Sequence, residues 1–200
     1  MNDLCTIGHS THSIEQFLPL LVKNGITALA DVRSAPYSRF APQFNREPLA
    51  ASLRTAGVSY VFVGRELGAR SEDPACYREG RIDFARLAAT QLFRQGLDRV
   101  CKGLATHRIA LLCAEKDPIT CHRMVLVCRH LQTRVDKIAH ILEDGSTEEH
   151  AHAEQRLRQA MHVPDSDLFA TEQELIGRAY DLQSARIAYS PPENGGDEAQ

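Results

Sequence analysis

The strongest constraint on this 200-residue chain is a rhythm of alternating periods. Five short apolar runs, at residues 4–8, 27–32, 58–63, 109–113 and 135–142, are separated by segments whose apolar residues recur at helical spacing. Runs of that length, apolar on both faces, suit strands buried in a parallel sheet. The segments between them carry helix punctuation. Ser13 with Gln16 forms a capping box ahead of Ile14, Phe17, Leu18 and Leu21, and Asn24-Gly25 ends that helix. Asn45 caps a helix to Thr55, with Pro48 in its first turn, and Gly57 stops it. Asp83 caps a helix over 84–104 that Gly96 interrupts, and Thr120 caps one over 121–131. Ser146 with Glu149 opens a helix to Met161, and Thr171 with Glu174 opens another. The expected fold is α/β: a mainly parallel sheet of about five strands with helices on both faces, plus a C-terminal helical extension. Residues 1–150 form the α/β domain, 151–188 the extension packed on it, and 189–200, rich in Pro, Gly and acid, a disordered tail.

In such sheets ligands sit at the carboxyl ends of the strands. Those ends deliver Gly8-His9-Ser10, Asp31-Val32-Arg33, the segment from Gly64 to Gly68, Cys113-Ala114-Glu115, and His140 followed by Glu143-Asp144-Gly145. Most of the chemically capable residues therefore collect on one rim. The densest stretch, 113–123, is a strand end, a polar loop and a helix start. A helix's first turn presents unpaired N–H groups, which bind anions and lower the pKa of a thiol placed there. Cys121, His122 and Arg123 occupy that turn, and Cys113 is the second candidate thiol.

The chain has six cysteines. A chain of this size can bury a core without staples, so free thiols are expected, and Cys5, Cys101 and Cys128 read as packing while Cys76 sits in the polar loop over 64–83 and reads as exposed. Cys113, Cys121, His122 and His9 could supply zinc ligands. The spacing lacks a Cys-x-x-Cys pair, and adjacent helical residues point about 100° apart, which sets Cys121 against His122 as partners on one ion. Zinc is thus kept as the alternative cofactor and no metal ligand is assigned. His150 and His152 read as surface residues. The phosphatase loop Cys-x5-Arg is absent, since Ile119 stands where it needs Arg. A strand-end Cys113 with Asp31-Val32-Arg33 gives only a fold-level analogy to rhodanese-like sulfurtransferases. No glycine-rich nucleotide-cradling motif occurs.

The formal net charge of −3 conceals a division: residues 1–140 hold 19 Lys+Arg and 13 Asp+Glu, a formal +6, and residues 141–200 hold 4 and 13, a formal −9. A basic body suits an anionic ligand. Within it, residues 33–46 hold three Arg, three aromatics and no acid, the combination that grips single-stranded nucleic acid. The competing reading packs Phe40 and Phe44, four apart, as one buried face. No run of 18 apolar residues spans a membrane, and the first ten residues have no basic n-region or long apolar h-region, so a cytoplasmic protein is expected.

Taken together, Thr6-Ile7-Gly8-His9-Ser10, Asp31-Val32-Arg33, Pro42-Gln43-Phe44-Asn45, Glu66-Leu67-Gly68, Leu112-Cys113-Ala114-Glu115 and Cys121-His122-Arg123 resemble the bacterial and archaeal family called domain of unknown function 488. His140-Ile141-Leu142 with Gly145 and His150 resembles the family's closing segment, so the likeness covers about residues 4–150. The resemblance implies an α/β domain and no established activity.

Two functions from different classes follow. In the first, an enzyme acts on an anionic small molecule or nucleic acid. Arg33 and Arg123 hold the anion, His9 or His122 is the acid or base, Asp31 or Glu115 orients it, and Cys113 is a nucleophile, with Cys121 at the helix start. Ser10, Arg39, Gln43, Asn45 and Gly68 complete the substrate-binding set. In the second, a non-catalytic module binds nucleic acid or zinc with the same residues.

Overall fold

A computed structural model describes residues 3–191. Six strands form one sheet: β1 (Asp3–Gly8), β2 (Ala28–Asp31), β3 (Ser59–Phe62), β6 (Ile109–Cys113), β7 (Lys137–Ile141) and β8 (Thr147–Glu149), in the order β3-β2-β6-β1-β7-β8. The first five run parallel, and β8 pairs antiparallel with β7. A separate hairpin joins β4 (Tyr77–Arg78) and β5 (Arg81–Ile82). Its turn residues Glu79 and Gly80 have φ of 51° and 74°, the paired positive angles that a two-residue hairpin turn requires.

Strand residues divide between two cores, as the alternation of a pleated sheet demands. Cys5, Ile7, Leu29, Ala110, Leu112 and Ile141 face one core, closed by Phe17 and Leu21 of α1 (Ile14–Lys23) and Leu49 and Leu53 of α2 (Arg46–Thr55). Leu4, Ala28, Ala30, Ile109, Leu111 and Ile138 face the other. That side is covered by α3 (Gly64–Leu67), α4 (Phe84–Ala88), α5 (Gln91–Leu104), a π-helical segment (Arg123–Cys128) running into α6 (Arg129–Leu131), α7 (His150–Ala160) and α8 (Glu172–Ile187). No described helix is long and apolar enough to cross a membrane.

Several boundaries differ from the sequence reading, each for a local reason. The helix expected over 84–104 breaks at Thr90, not Gly96, because the Thr90 hydroxyl accepts the Phe93 N–H and starts a new helix. Gly96 is instead a contact point. A Cβ there would lie 2.7 Å from Glu66 and Leu67 of α3. The Ser146–Glu149 box does not form. Ser146 donates to Asp144, the chain enters β8, and α7 begins at His150. The sixth strand was hidden by that rival signal. Thr120 is not a cap, since its hydroxyl donates to the Asp117 carbonyl within a 3-10 turn (Pro118–Thr120). The boxes at Ser13–Gln16 and Thr171–Glu174 are both present.

Cys76 is buried, not exposed, and joins the second core. Phe40 and Phe44 do not share a face: Phe44 is fully buried, whereas Phe40 is 84% exposed under the Arg39 guanidinium. The segment expected to be a disordered tail begins with an anchored residue. The Tyr189 carbonyl accepts the Ile82 N–H, and its ring lies 4.2 Å from the Arg70 guanidinium carbon. Residues 192–200 of that segment lie outside the described residues.

Candidate functional site

The strand carboxyl ends carry a compact cluster of Cys113, Glu115, Cys121 and His122, whose ligating atoms all lie within 4.8 Å of one another. Cys113 is the last residue of β6, and its position is fixed by pairing with Gly8 of β1. Gly8 is there because the loop after β6 crosses directly over it: a Cβ would sit 1.9 Å from the Glu115 carbonyl oxygen. The main chain of β1 follows β6 past the strand ends, with His9 N–H donating to the Cys113 carbonyl and Ser10 N–H to that of Ala114. Ser10 itself turns the chain away with a φ of 47°.

Cys121 stands in extended conformation before the π-helical segment, and its sulfur accepts the Arg123 N–H at 3.4 Å. The thiol thus takes the position of a helix N-cap, where a negative charge is favoured. This corrects the sequence geometry. Cys121 and His122 are not successive residues of one regular helix, and the angular objection to their sharing an ion does not apply. The Glu115 carboxylate accepts from both thiols, Cys113 at 2.8 Å and Cys121 at 3.0 Å. His122 donates from Nε2 to the Val32 carbonyl at 3.0 Å, which turns the Nδ1 lone pair to the Cys113 sulfur at 3.5 Å.

The electrostatics split the two thiols. Burial, then the neighbouring Cys121, pushes Cys113 well above the ordinary thiol range. Burial opposes ionisation of Cys121 too, but the hydrogen bond from Cys113, the Arg123 charge and His122 outweigh it and hold its thiol well below that range. Burial raises Glu115. The cluster therefore sets two thiols of opposed proton affinity side by side, next to a carboxyl whose hold on its own proton is raised.

Arg123 is fully buried, and among the described residues no carboxylate pairs with it. It donates to the carbonyls of Glu115 at 2.6 Å and Lys116 at 3.0 Å, and from Nε to the Thr6 hydroxyl at 3.4 Å. That last contact starts a buried chain. Thr6 meets His140 Nδ1 at 2.8 Å, His140 Nε2 meets His150 Nδ1 at 3.0 Å, and His150 Nε2 meets the Tyr180 hydroxyl at 3.2 Å. Tyr180 then donates to Glu154 at 2.9 Å. Since Tyr180 donates outward, each earlier link donates in the same direction. His150, read from sequence as a surface residue, is buried within this chain. Thr6, Tyr180 and Glu154 were missed because each looks like an ordinary strand or helix residue on its own.

Beside the cluster, Arg33 is not free to hold an anion by its fork. It is paired to Asp31 through Nε at 2.9 Å and Nη2 at 2.6 Å, and it donates to the Phe44 carbonyl. Asp31 also accepts from Tyr60. His9 stacks on Phe44 with ring centroids 4.4 Å apart and meets Arg33 Nη1 at 3.4 Å. Burial and the Arg33 charge lower its pKa to about 4, so it is a neutral acceptor near pH 7. Gln43 donates to the His12 carbonyl, and Asn45 accepts the Ser38 N–H, so both organise the loop after β2. Gly68 is a packing glycine: a Cβ would meet Gly64 and Ser34 at 2.3 and 2.4 Å. Arg39 lies out on that loop with Phe40. The six cysteines are free thiols.

The fold and site define an open α/β protein with a Cys/His/Glu cluster at the carboxyl ends of its parallel strands. Residues 13–129 match the family described as Domain of unknown function DUF488, and the chain belongs to that family. No curated protein and no solved structure matches the chain.

Proposed function

We propose that this protein is an enzyme that binds an anionic, phosphate-containing substrate over the strand-carboxyl rim and works on it with the Cys113–Glu115–Cys121–His122 cluster. The observation that carries this reading is the convergence, from β6 and the segment behind it, of two thiols, a carboxyl and an imidazole within 4.8 Å. Groups with opposed proton affinities in contact are what acid–base chemistry needs. The anionic substrate is supported by the formal +6 of residues 1–140 and by the exposed Arg39–Phe40 pair; Lys116 at the rim is ion-paired with Glu143. Arg123 acts from beneath, as fixed positive charge and not as a direct clamp, whereas Arg33, paired to Asp31, holds the rim in shape. Free thiols of opposed reactivity fit a reducing, cytoplasmic setting.

The test is amide chemical-shift mapping with inorganic phosphate, a nucleoside monophosphate and a short single-stranded oligonucleotide. Salt-sensitive shifts are expected at residues 8–10, 33–40 and 114–116. Shifts confined to other faces, or none at low ionic strength, would sink the proposal. Oligonucleotide binding that survives Cys113→Ser together with Glu115→Gln, with no turnover of any added phosphoester, would favour a non-catalytic binding module instead.

A further inference from the structure

We propose that the cluster is a binding site for a thiophilic divalent cation of the zinc class, with Cys113, Cys121 and His122 as fixed ligands and Glu115 as a displaceable fourth. The inference deepens the site reading above and rests on the same four residues. Thiolate, imidazole and carboxylate are the zinc ligand set, at about 2.3 Å for sulfur and 2.0–2.2 Å for nitrogen and oxygen. Around a tetrahedral ion those bonds place a sulfur and a nitrogen roughly 3.6 Å apart. Cys113 Sγ and His122 Nδ1 are 3.5 Å apart already. The carboxylate lies closer to the sulfurs, at 2.8 and 3.0 Å, and would move outward by about 0.6–0.8 Å. Glu115 is exposed as a residue although its carboxylate is partly buried against the thiols, so the side chain has room to do so.

Two further features fit an ion. The first is His122, whose Nε2–H is held by the Val32 carbonyl so that Nδ1 faces the cluster; ligating histidines are oriented by this kind of support. The second is charge. Two thiolates and a carboxylate around a doubly charged ion leave one net negative charge, and Arg123 is a buried cation with only neutral partners. The ion and Arg123 together would leave the buried site neutral. Cys113 and Cys121 are almost fully buried, whereas Glu115 is exposed as a residue with its carboxylate tucked against the thiols, so the fourth position lies on the solvent side of the cluster. An ion so placed could exchange the carboxylate for water or for a substrate oxygen, as catalytic zinc sites do with their open position.

The experiment is titration of reduced, chelator-stripped full-length protein with zinc and with cobalt. Expected is one ion per chain and, for cobalt, a thiolate-to-metal charge-transfer band with tetrahedral d–d intensity. Cys113→Ser and Cys121→Ser should each weaken binding by more than the roughly 100-fold that loss of a ligand's supporting hydrogen bond can cost. Cys101→Ser, remote from the cluster, should bind like the parent. Should the buried-cysteine variants fail to fold, Glu115→Gln decides: it should keep the thiolate band and bind about 10-fold or more weakly. Failure of one equivalent to bind while all six thiols are shown to be reduced would overturn the proposal. So would binding that is unchanged by Glu115→Gln and by loss of either thiol. Neither result touches the functional reading, which stands or falls on where phosphate and nucleotide shifts map.

Discussion

Asp31 and Arg33 show how much of the rim is spent on holding itself in place. Their pair is buried on both sides, and Tyr60 and the Phe44 carbonyl satisfy what remains. Removing one half leaves a charge in a site that excludes water. Asp31→Ala should therefore cost about 3–5 kcal/mol, read by urea unfolding. Gly8→Ala is a backbone test of the same region. Its new methyl would run into the Glu115 carbonyl, so a loss of roughly 2–4 kcal/mol is expected together with increased accessibility of Cys113 and Cys121 to alkylation. A melting temperature unchanged from the parent would contradict the crossing of these two loops. At this scale the sequence spoke unevenly. Cys113, Cys121 and His122 were legible because strand ends and helix starts mark themselves. The engagement of Arg33 by Asp31, two residues away on the same strand end, was not, because a polar residue at a rim looks the same whether it faces a ligand or a neighbour.

Elements were read well where a single local signal decided them and poorly where two competed. The positions of the five parallel strands and the boxes at Ser13 and Thr171 followed from hydrophobic period and capping chemistry alone. The break between α4 and α5 did not, since Gly96 is the louder helix breaker and Thr90 the true cap. Thr90→Ala should cost about 1 kcal/mol by removing the acceptor for Phe93 N–H, and Thr90→Ser should recover most of it, both read by thermal unfolding. The segment 121–131 is the more instructive case. Its polar start suggested an ordinary helix. It is instead a π-helical turn that follows an extended Cys121, and only that geometry brings Cys121 and His122 to one point. Periodicity does not encode it; the contacts of Arg123 and Gln183, which donates to the Ile119 carbonyl, hold it from outside.

For the whole molecule, three buried histidines, His9, His140 and His150, set a pH dependence in the same sense. Burial lowers both His9 and His150 to about 4, with the Arg33 charge adding to the effect at His9. The unfolded chain takes up these protons near the ordinary histidine value, about 6.5, and the folded chain only near 4. Stability is therefore complete above about pH 6.5 and falls as the pH drops toward 4, by an order of 2–3 kcal/mol for each of these two. Urea midpoints at pH 7.5 and 4.5 would measure this; His150→Gln should flatten part of the slope. A protein equally stable at both values would show that the histidines are solvated.

The directed chain from Arg123 to Glu154 has a consequence for what the C-terminal helices are. Each of the four members between the ends, Thr6, His140, His150 and Tyr180, gives one hydrogen and takes one along the row, so neither imidazole has a choice of tautomer, and the row behaves as an aligned series of dipoles with Arg123 at one end and Glu154 at the other. Arg156 of the same helix α7 also clamps Asp117, the residue that caps the turn leading into Cys121. The C-terminal helices are thus tied to the site by oriented bonds, through Tyr180 and His150 toward Arg123 and through Arg156 to Asp117. A helical appendage that could be trimmed would not be wired in this way; here α7 and α8 complete the polar network that begins beneath the site.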